Sequence, residues 1–319
     1  MVSRGRVFLW GALAVAGGAL DAADPSHQPR RSRDLDESGS LISTEGSGVI
    51  DEDTVRTARE TVSHSTGTPN WTNPRGFEKD VFTFARVIFK SGATAGMRNG
   101  FGRRLGWWVD YPDADLNFSY RLQQMTSTRV DPDARVIKLS DPELFDFPLL
   151  YMEHTGYMQL RPPEVEALRK HLQTGGALLV NDFWSTEEWV GFALQMKRVL
   201  PGREWVELDV DHPLFHCVFD IRGPMKSLQV PTIQFWNPGY NPRDPESRLQ
   251  RMYRGEGSED MHVRALLDDK QRIMVVAIHN SDISDGWERE GENSQYFQQF
   301  SEKIAYPLGI NLIFYLMTH

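Results

Sequence analysis

At 319 residues, 40% hydrophobic and 25% charged with a single cysteine, the chain has enough apolar mass for a globular core, which excludes a wholly disordered, collagen-like or disulfide-stapled protein. Lysine and arginine number 35 against 44 aspartates and glutamates, a net charge of −9 with a pI near 5.5, which argues against a broad footprint for nucleic acid or for an anionic membrane surface. Length alone allows two domains, whereas the pattern along the chain favours one domain plus a tail.

Arg4 and Arg6 precede an uncharged run from Val7 to Leu20, followed by Asp21, Ala22 and Ala23. This is the charged, apolar, small-residue order of a secretory signal peptide over residues 1–22. The run falls short of the ~20 apolar residues that a bilayer span requires. Cleavage after export is expected, leaving a periplasmic or extracellular protein without a membrane span; an uncleaved N-terminal anchor is the alternative. The lone Cys217 cannot form an intramolecular disulfide. From residue 23 to 76 the only aromatic residue is Trp71, so this stretch is expected as a disordered polar tether. Within it Arg30, Arg31 and Arg33 read as a solvated cluster, and Asp51 to Val62 suits a short helix. No repeat period is visible, which excludes solenoids and propellers.

The core alternates strands and helices. Val81 to Lys90 is rich in β-branched and aromatic residues and predicts the first strand. An amphipathic helix capped by Asp113 is expected to Met125, then a short strand over Val136 to Leu139, and a helix start where Ser140 and Glu143 stand at capping-box spacing around Pro142. Phe147 to Met152 is almost wholly apolar, as a strand buried on both faces should be. Pro162 and Pro163 open a helix with a Val165, Leu168 and Leu172 stripe that Gly175-Gly176 ends, and Ala177 to Val180 is a fourth strand. Ser185 and Glu188 form a second capping box between Trp184 and Trp189, predicting a helix to about Leu200. Val263 to Asp268 and Arg272 to Ile278 read as a hairpin, and a last helix starts near Asn293 and breaks at Pro307. The expected fold is a three-layer α/β/α arrangement with a mostly parallel, flavodoxin-like sheet.

In such sheets ligands sit beyond the carboxyl ends of the strands. There the chain places Glu153-His154, Asn181-Asp182 and His279-Asn280-Ser281-Asp282, with Asp110 in a Trp-rich loop. Glu153, His154 and Asp182 are the catalytic candidates, and Asp110, His154 and Asp182 the candidate ligands of a divalent metal, the only cofactor considered. The plainer reading is that Asp110 and Asp182 cap loops while His154 and His279 satisfy backbone groups. His212 and His216 would meet only on a helix, which Pro213 opposes, so a turn is expected there. Cys217, in an apolar stretch, reads as a buried and inert thiol. The acidic segment Asn280 to Glu290 lacks the glycine and closing glutamate of an EF-hand and reads as a loop pinned by a buried Trp287.

Five blocks, FTFARVIF, WWVDYPDADLNF, DPELFDFPLLYMEHTG with LRPPEVEALRKHLQTGGALLVNDFW, DHPLF, and HNSDISDGWE, together resemble the bacterial family catalogued as domain of unknown function 4159, over Phe77 to His319. That resemblance implies a fold similar to the class I glutamine amidotransferase-like superfamily. The amidotransferase nucleophile is a Cys at a strand-to-helix turn, and the matching turn here reads Asn181-Asp182-Phe183, so that chemistry is not expected. Two readings follow. One is a non-catalytic exported module that offers Trp107, Trp108, Asp110, Asp182, Asp282 and Trp287 to a protein or a small polar ligand. The other is a metal-dependent or carboxylate-driven hydrolase in which Asp182 is base or ligand and His154 the acid. A hydrolase centred on Cys217 ranks below both.

Overall fold

A computed structural model describes residues 41–43, 49–65, 67–76, 80–92, 106–236 and 254–319. The expected signal peptide and the first part of the expected tether lie outside the described residues. In chain order the elements are β1 (Leu41–Ser43), β2 (Val49–Asp51), β3 (Ala85–Ile88), β4 (Lys90–Ser91), α1 (Asp113–Met125), β5 (Arg135–Lys138), β6 (Leu149–Glu153), β7 (Met158–Gln159), α2 (Pro162–Gln173), β8 (Ala177–Phe183), α3 (Ser185–Val199), β9 (Trp205–Glu207), β10 (His262–Leu267), β11 (Ile273–His279), α4 (Asp285–Glu288), α5 (Ser294–Tyr296) and α6 (Tyr306–Thr318).

The apolar runs form the middle of one seven-stranded sheet in the order β5-β3-β6-β8-β11-β10-β9. Its first five strands are mutually parallel, and β10 runs antiparallel between β11 and β9. Every residue of β6, β8 and β11 is buried, as central strands covered on both faces require. The chain moves from β3 to β5 in one direction along the sheet and from β6 through β8 in the other. Right-handed crossovers therefore place α1 on one face and α2 with α3 on the opposite face. Among the described residues no helix is long and apolar enough to cross a membrane.

Local chemistry explains most boundaries. Pro162 and Pro163 open α2, Glu164 accepts from the Arg161 amide at 2.7 Å, and Gly175 takes a φ of +113° where the helix stops. The expected break at Pro307 takes the form of a π-helical stretch, Phe297–Ala305, directly before α6, because a proline has no N–H to continue the ladder. Three caps differ from expectation. Asp113 is the first residue of α1 and not its cap, Asp141 in place of Ser140 precedes a single 3₁₀ turn, and Trp184 in place of Ser185 caps α3, with Glu188 accepting from its amide at 2.9 Å. Edge strand β9 and the small β4–β7 ladder were not legible in the hydrophobic pattern.

The expectation of a disordered tether up to Gly76 does not hold for its described part. All described residues fall in one compact unit, Leu35–His319. Ile50, Val55 and Ala58 are buried, and the Val136 amide donates to the Arg56 carbonyl at 2.9 Å. Arg59 donates to the Pro132 carbonyl at 2.9 Å, and Tyr111 Oη donates to the Thr57 carbonyl, also at 2.9 Å. The segment is polar because it needs no core of its own; it is a strap whose polar groups are satisfied by the domain it crosses. The short helix expected there is a single 3₁₀ turn, Ala58–Glu60.

Arg86 in β3 is wholly buried and holds three parts of the molecule together. Its Nε lies 2.9 Å from both oxygens of Asp115 in α1, its Nη1 ion-pairs with Glu153 at the end of β6, and that nitrogen also donates to the carbonyls of Trp107 at 2.8 Å and Val109 at 3.0 Å. Burial opposes the guanidinium charge, but Asp115 and Glu153 outweigh it and hold the pKa well above its usual value. Arg86→Met leaves two buried carboxylates without their counter-charge, so we expect a loss of about 3–5 kcal/mol. The check is the midpoint of urea unfolding, and an unchanged midpoint would show that Arg86 is dispensable.

Candidate functional site: a buried carboxylate cluster at the strand ends

The carboxyl ends of β6, β8 and β11 and the loop after β3 converge. Asp110, Asp182 and Asp282 each offer a carboxylate oxygen within 4.8 Å of the others, and Asp110 forms a second such group with Asp285 and Glu288. All five side chains are buried. The backbone bends sharply to bring them there. Asp110, His154, Asp182 and Asn280 have φ of +57°, +52°, +50° and +60°, and Asp182 lies where the β8–β11 register shifts. Asp, Asn and His tolerate this left-handed region better than other side-chain-bearing residues, yet four together at one sheet edge is a concentration typical of functional sites.

Neighbouring elements fix the side chains. Asp182 Oδ2 lies 2.5 Å from His154 Nε2, while Oδ1 accepts from Trp184 Nε1 at 2.7 Å and Arg254 Nη1 at 3.2 Å. Asp282 accepts from Thr232 Oγ1 at 2.7 Å and from the Asp285 amide at 3.0 Å. Asn280 donates to the carbonyls of Gly257 and Asp260 and accepts from the Ser185 amide, anchoring the end of β11. Asp110 is different: its buried Oδ2 has no hydrogen-bond partner.

The electrostatics separate these acids. Burial, with Asp285 and Asp182 close by, pushes Asp110 up to about 7 against the pull of Arg289. Burial and the neighbouring Asp182, Asp285 and Asp110 likewise hold Asp282 well above the carboxylate range. Asp182 goes the other way, since His154 and Arg254 outweigh its burial and keep it ionised. His154 is correspondingly raised, because Asp182 overcomes the effect of burial.

Of the expected residues, Asp110, His154, Asp182 and Asp282 come together. The others do not form part of this cluster. Trp107 and Trp287 are wholly buried and cannot present faces to a ligand; Trp107 Nε1 donates to Glu52 at 2.7 Å, and only Trp108 is half-buried. Glu153 is wholly engaged by Arg86 and by Tyr151 Oη at 2.8 Å, which makes it a structural acid rather than a catalytic one. His279 Nε2 donates to the Ser185 carbonyl at 2.9 Å, and burial drives its pKa down to about 3. His212 caps a turn by accepting from the Leu214 amide, and His216 pairs with Asp220, so no shared ligand position exists. Cys217 is exposed rather than buried, and its thiol donates to the Asn311 carbonyl at 3.3 Å with its pKa raised by partial burial.

Other contributors were missed. The sequence reads Asp285 and Glu288 as part of an acidic loop pinned by Trp287 and assigns them no site role, but both are buried in α4, where Arg289 lies 2.5 Å from Glu288 Oε2. Arg254 and His64 carried no local signal. His64 arrives from the strap, with Nε2 3.2 Å from Glu288 Oε1 and 3.6 Å from Asp113 Oδ2.

The raised acid makes a sign prediction for protein kept free of metal. Asp110 holds a proton in the folded state over the window from its unfolded pKa near 3.9 to about 7, so stability falls as pH rises through that window. His154 acts in the same sense, its contribution being lost as pH rises through its raised folded pKa, whereas the contribution of Asp182 is lost only in acid. Asp110→Asn should therefore be stabilised at pH 8, by about 4 kcal/mol at most, with the gain vanishing near pH 4. Urea midpoints across pH 4–8 provide the check, and a destabilised variant at pH 8 would contradict it.

No curated protein matches the chain. The profile of a family described as Domain of unknown function (DUF4159) matches residues 93–317, a stretch that contains every carboxylate of the cluster. The chain therefore belongs to the DUF4159 family.

Proposed function

We propose that the protein is an exported binding module whose ligand is a hard divalent cation, held at the carboxyl edge of the sheet by Asp110, Asp182 and Asp282. The observation that carries this reading is the Oδ2 of Asp110, buried and unpartnered among carboxylates. A buried lone oxygen of that kind costs stability unless something satisfies it. Ca²⁺ takes oxygen ligands at about 2.3–2.6 Å, so oxygens facing each other across an ion are roughly 5 Å apart. Oxygens within 4.8 Å of one another suit that span, and an all-oxygen set favours Mg²⁺, Ca²⁺ or Mn²⁺ over softer metals. Five acids face Arg254, Arg289 and His154, an excess of two negative charges when all are ionised, which one divalent ion balances. The order of the five parallel strands, second-first-third-fourth-fifth by chain position, supports a flavodoxin-like sheet. It fits equally with the amidotransferase-like superfamily, although Asp182 stands where that chemistry needs a thiol.

A second reading, hydrolysis, rests on the His154–Asp182 contact of 2.5 Å. Asp182 raises the pKa of His154 against the effect of burial, which suits it to donate a proton, and an Asp182 held ionised suits a ligand or orienting role more than that of a base. Signal cleavage, the periplasmic or extracellular location and any protein partner belong to this proposal as well.

Metal-free protein titrated with Mg²⁺, Ca²⁺ and Mn²⁺ in a calorimeter should bind at least one of them and gain thermal stability as the free ion rises above its Kd. Asp110→Asn and Asp182→Asn should each weaken binding at least tenfold. Absence of binding at millimolar concentrations of all three ions would remove the proposal.

A further inference from the structure

The two carboxylate groups share one residue. Asp110 offers a carboxylate oxygen within 4.8 Å of oxygens of Asp182 and Asp282, and does the same with Asp285 and Glu288. We infer that the site is binuclear, with a second hard divalent cation held by Asp285 and Glu288 and with Asp110 bridging the two ions. This rests on the cation reading above and extends it.

The geometry argues for it at each residue. A bridging carboxylate uses both its oxygens; the Oδ2 of Asp110 is buried without any hydrogen bond, as is Glu288 Oε2, while Ser284 hydrogen-bonds the Asp110 side chain. The other members keep capacity. Asp285 Oδ2 accepts from the Ile233 amide at 2.5 Å, its Oδ1 has a long contact to Arg289, 3.4 Å, and its carboxyl group shares a hydrogen bond with that of Glu288. Glu288 spends one ion pair on each oxygen, to Arg289 and to His64. An ionised carboxylate offers about four lone-pair positions, so both retain lone pairs for a metal. Both groups are buried, and His64 from the strap stands 3.2 Å from Glu288 of the second one, with 5% of its side chain exposed and its Nδ1 unpartnered. Paired divalent ions that share a carboxylate stand about 3.5–4 Å apart in known two-metal sites, a separation one bridging aspartate spans.

The test uses Mn²⁺ alone, on the full chain stripped of metal. Equilibrium dialysis counts the ions, and electron paramagnetic resonance distinguishes an exchange-coupled pair from isolated Mn²⁺. Two ions per chain with a coupled spectrum is the expected result. Glu288→Gln should then weaken the second ion at least tenfold and return the six-line signal of a single ion, while Asp282→Asn should lose the first ion. One ion per chain in the unaltered protein overturns the second position and leaves the mononuclear reading standing. Two ions without coupling overturn the shared aspartate. No bound ion overturns both readings. The count on unaltered protein decides the matter even if a variant fails to fold.

Discussion

A single buried guanidinium determines where the chemistry can be. Arg86 occupies the strand from which the topology branches, and its contacts reach α1, the end of β6 and the main chain of the loop at Trp107 and Val109. Asp110 follows directly on that loop. Arg86 is therefore a positioning residue at one remove: it fixes the peptide next to Asp110 and neutralises Glu153, which would otherwise add another charge beside Asp110. A lysine could supply the charge but not the fork of donors that engages a carboxylate and two carbonyls at once.

Around that anchor the molecule carries features that cost stability. Left-handed aspartates and histidines cost of order 1–3 kcal/mol each, and buried acids pushed toward neutrality cost stability at physiological pH. Apolar residues at the same places would fold better, since replacing buried charges by well-packed hydrophobic groups is often stabilising. Four left-handed residues and five buried acids meet at the carboxyl edge of the parallel sheet, and the proposed cation site rests on that concentration.

Much of the architecture was legible because its signals are local. An unbroken apolar run such as Ile273 to Ile278 belongs in the middle of a sheet, Pro162-Pro163 can only open a helix, and Gly175 tolerates the conformation that ends it. The site was legible in part for the same reason. Strand ends are readable, so Asp110, His154, Asp182 and Asp282 were found. What a side chain does beyond its strand was not readable. The burial of Trp287 as the pin of its acidic loop was readable, whereas Trp107 lies in polar company and reads as a rim, yet its burial depends on Glu52 in the strap, distant in sequence. His64 is a single imidazole in a polar stretch, without period or motif, and only the path of the backbone brings it to Glu288.

The strap and β3 have a practical consequence for anyone who expresses this protein. The matched region begins at residue 93, after the whole of β3 and the described strap residues. A fragment trimmed to it would lack the strand between β5 and β6, opening two unpaired backbone edges inside the sheet and stranding Asp115 and Glu153 in the interior. Such a product is a candidate for inclusion bodies, and a fragment meant to fold by itself has to be cut upstream of Leu41, where the β1–β2 ladder of the strap begins.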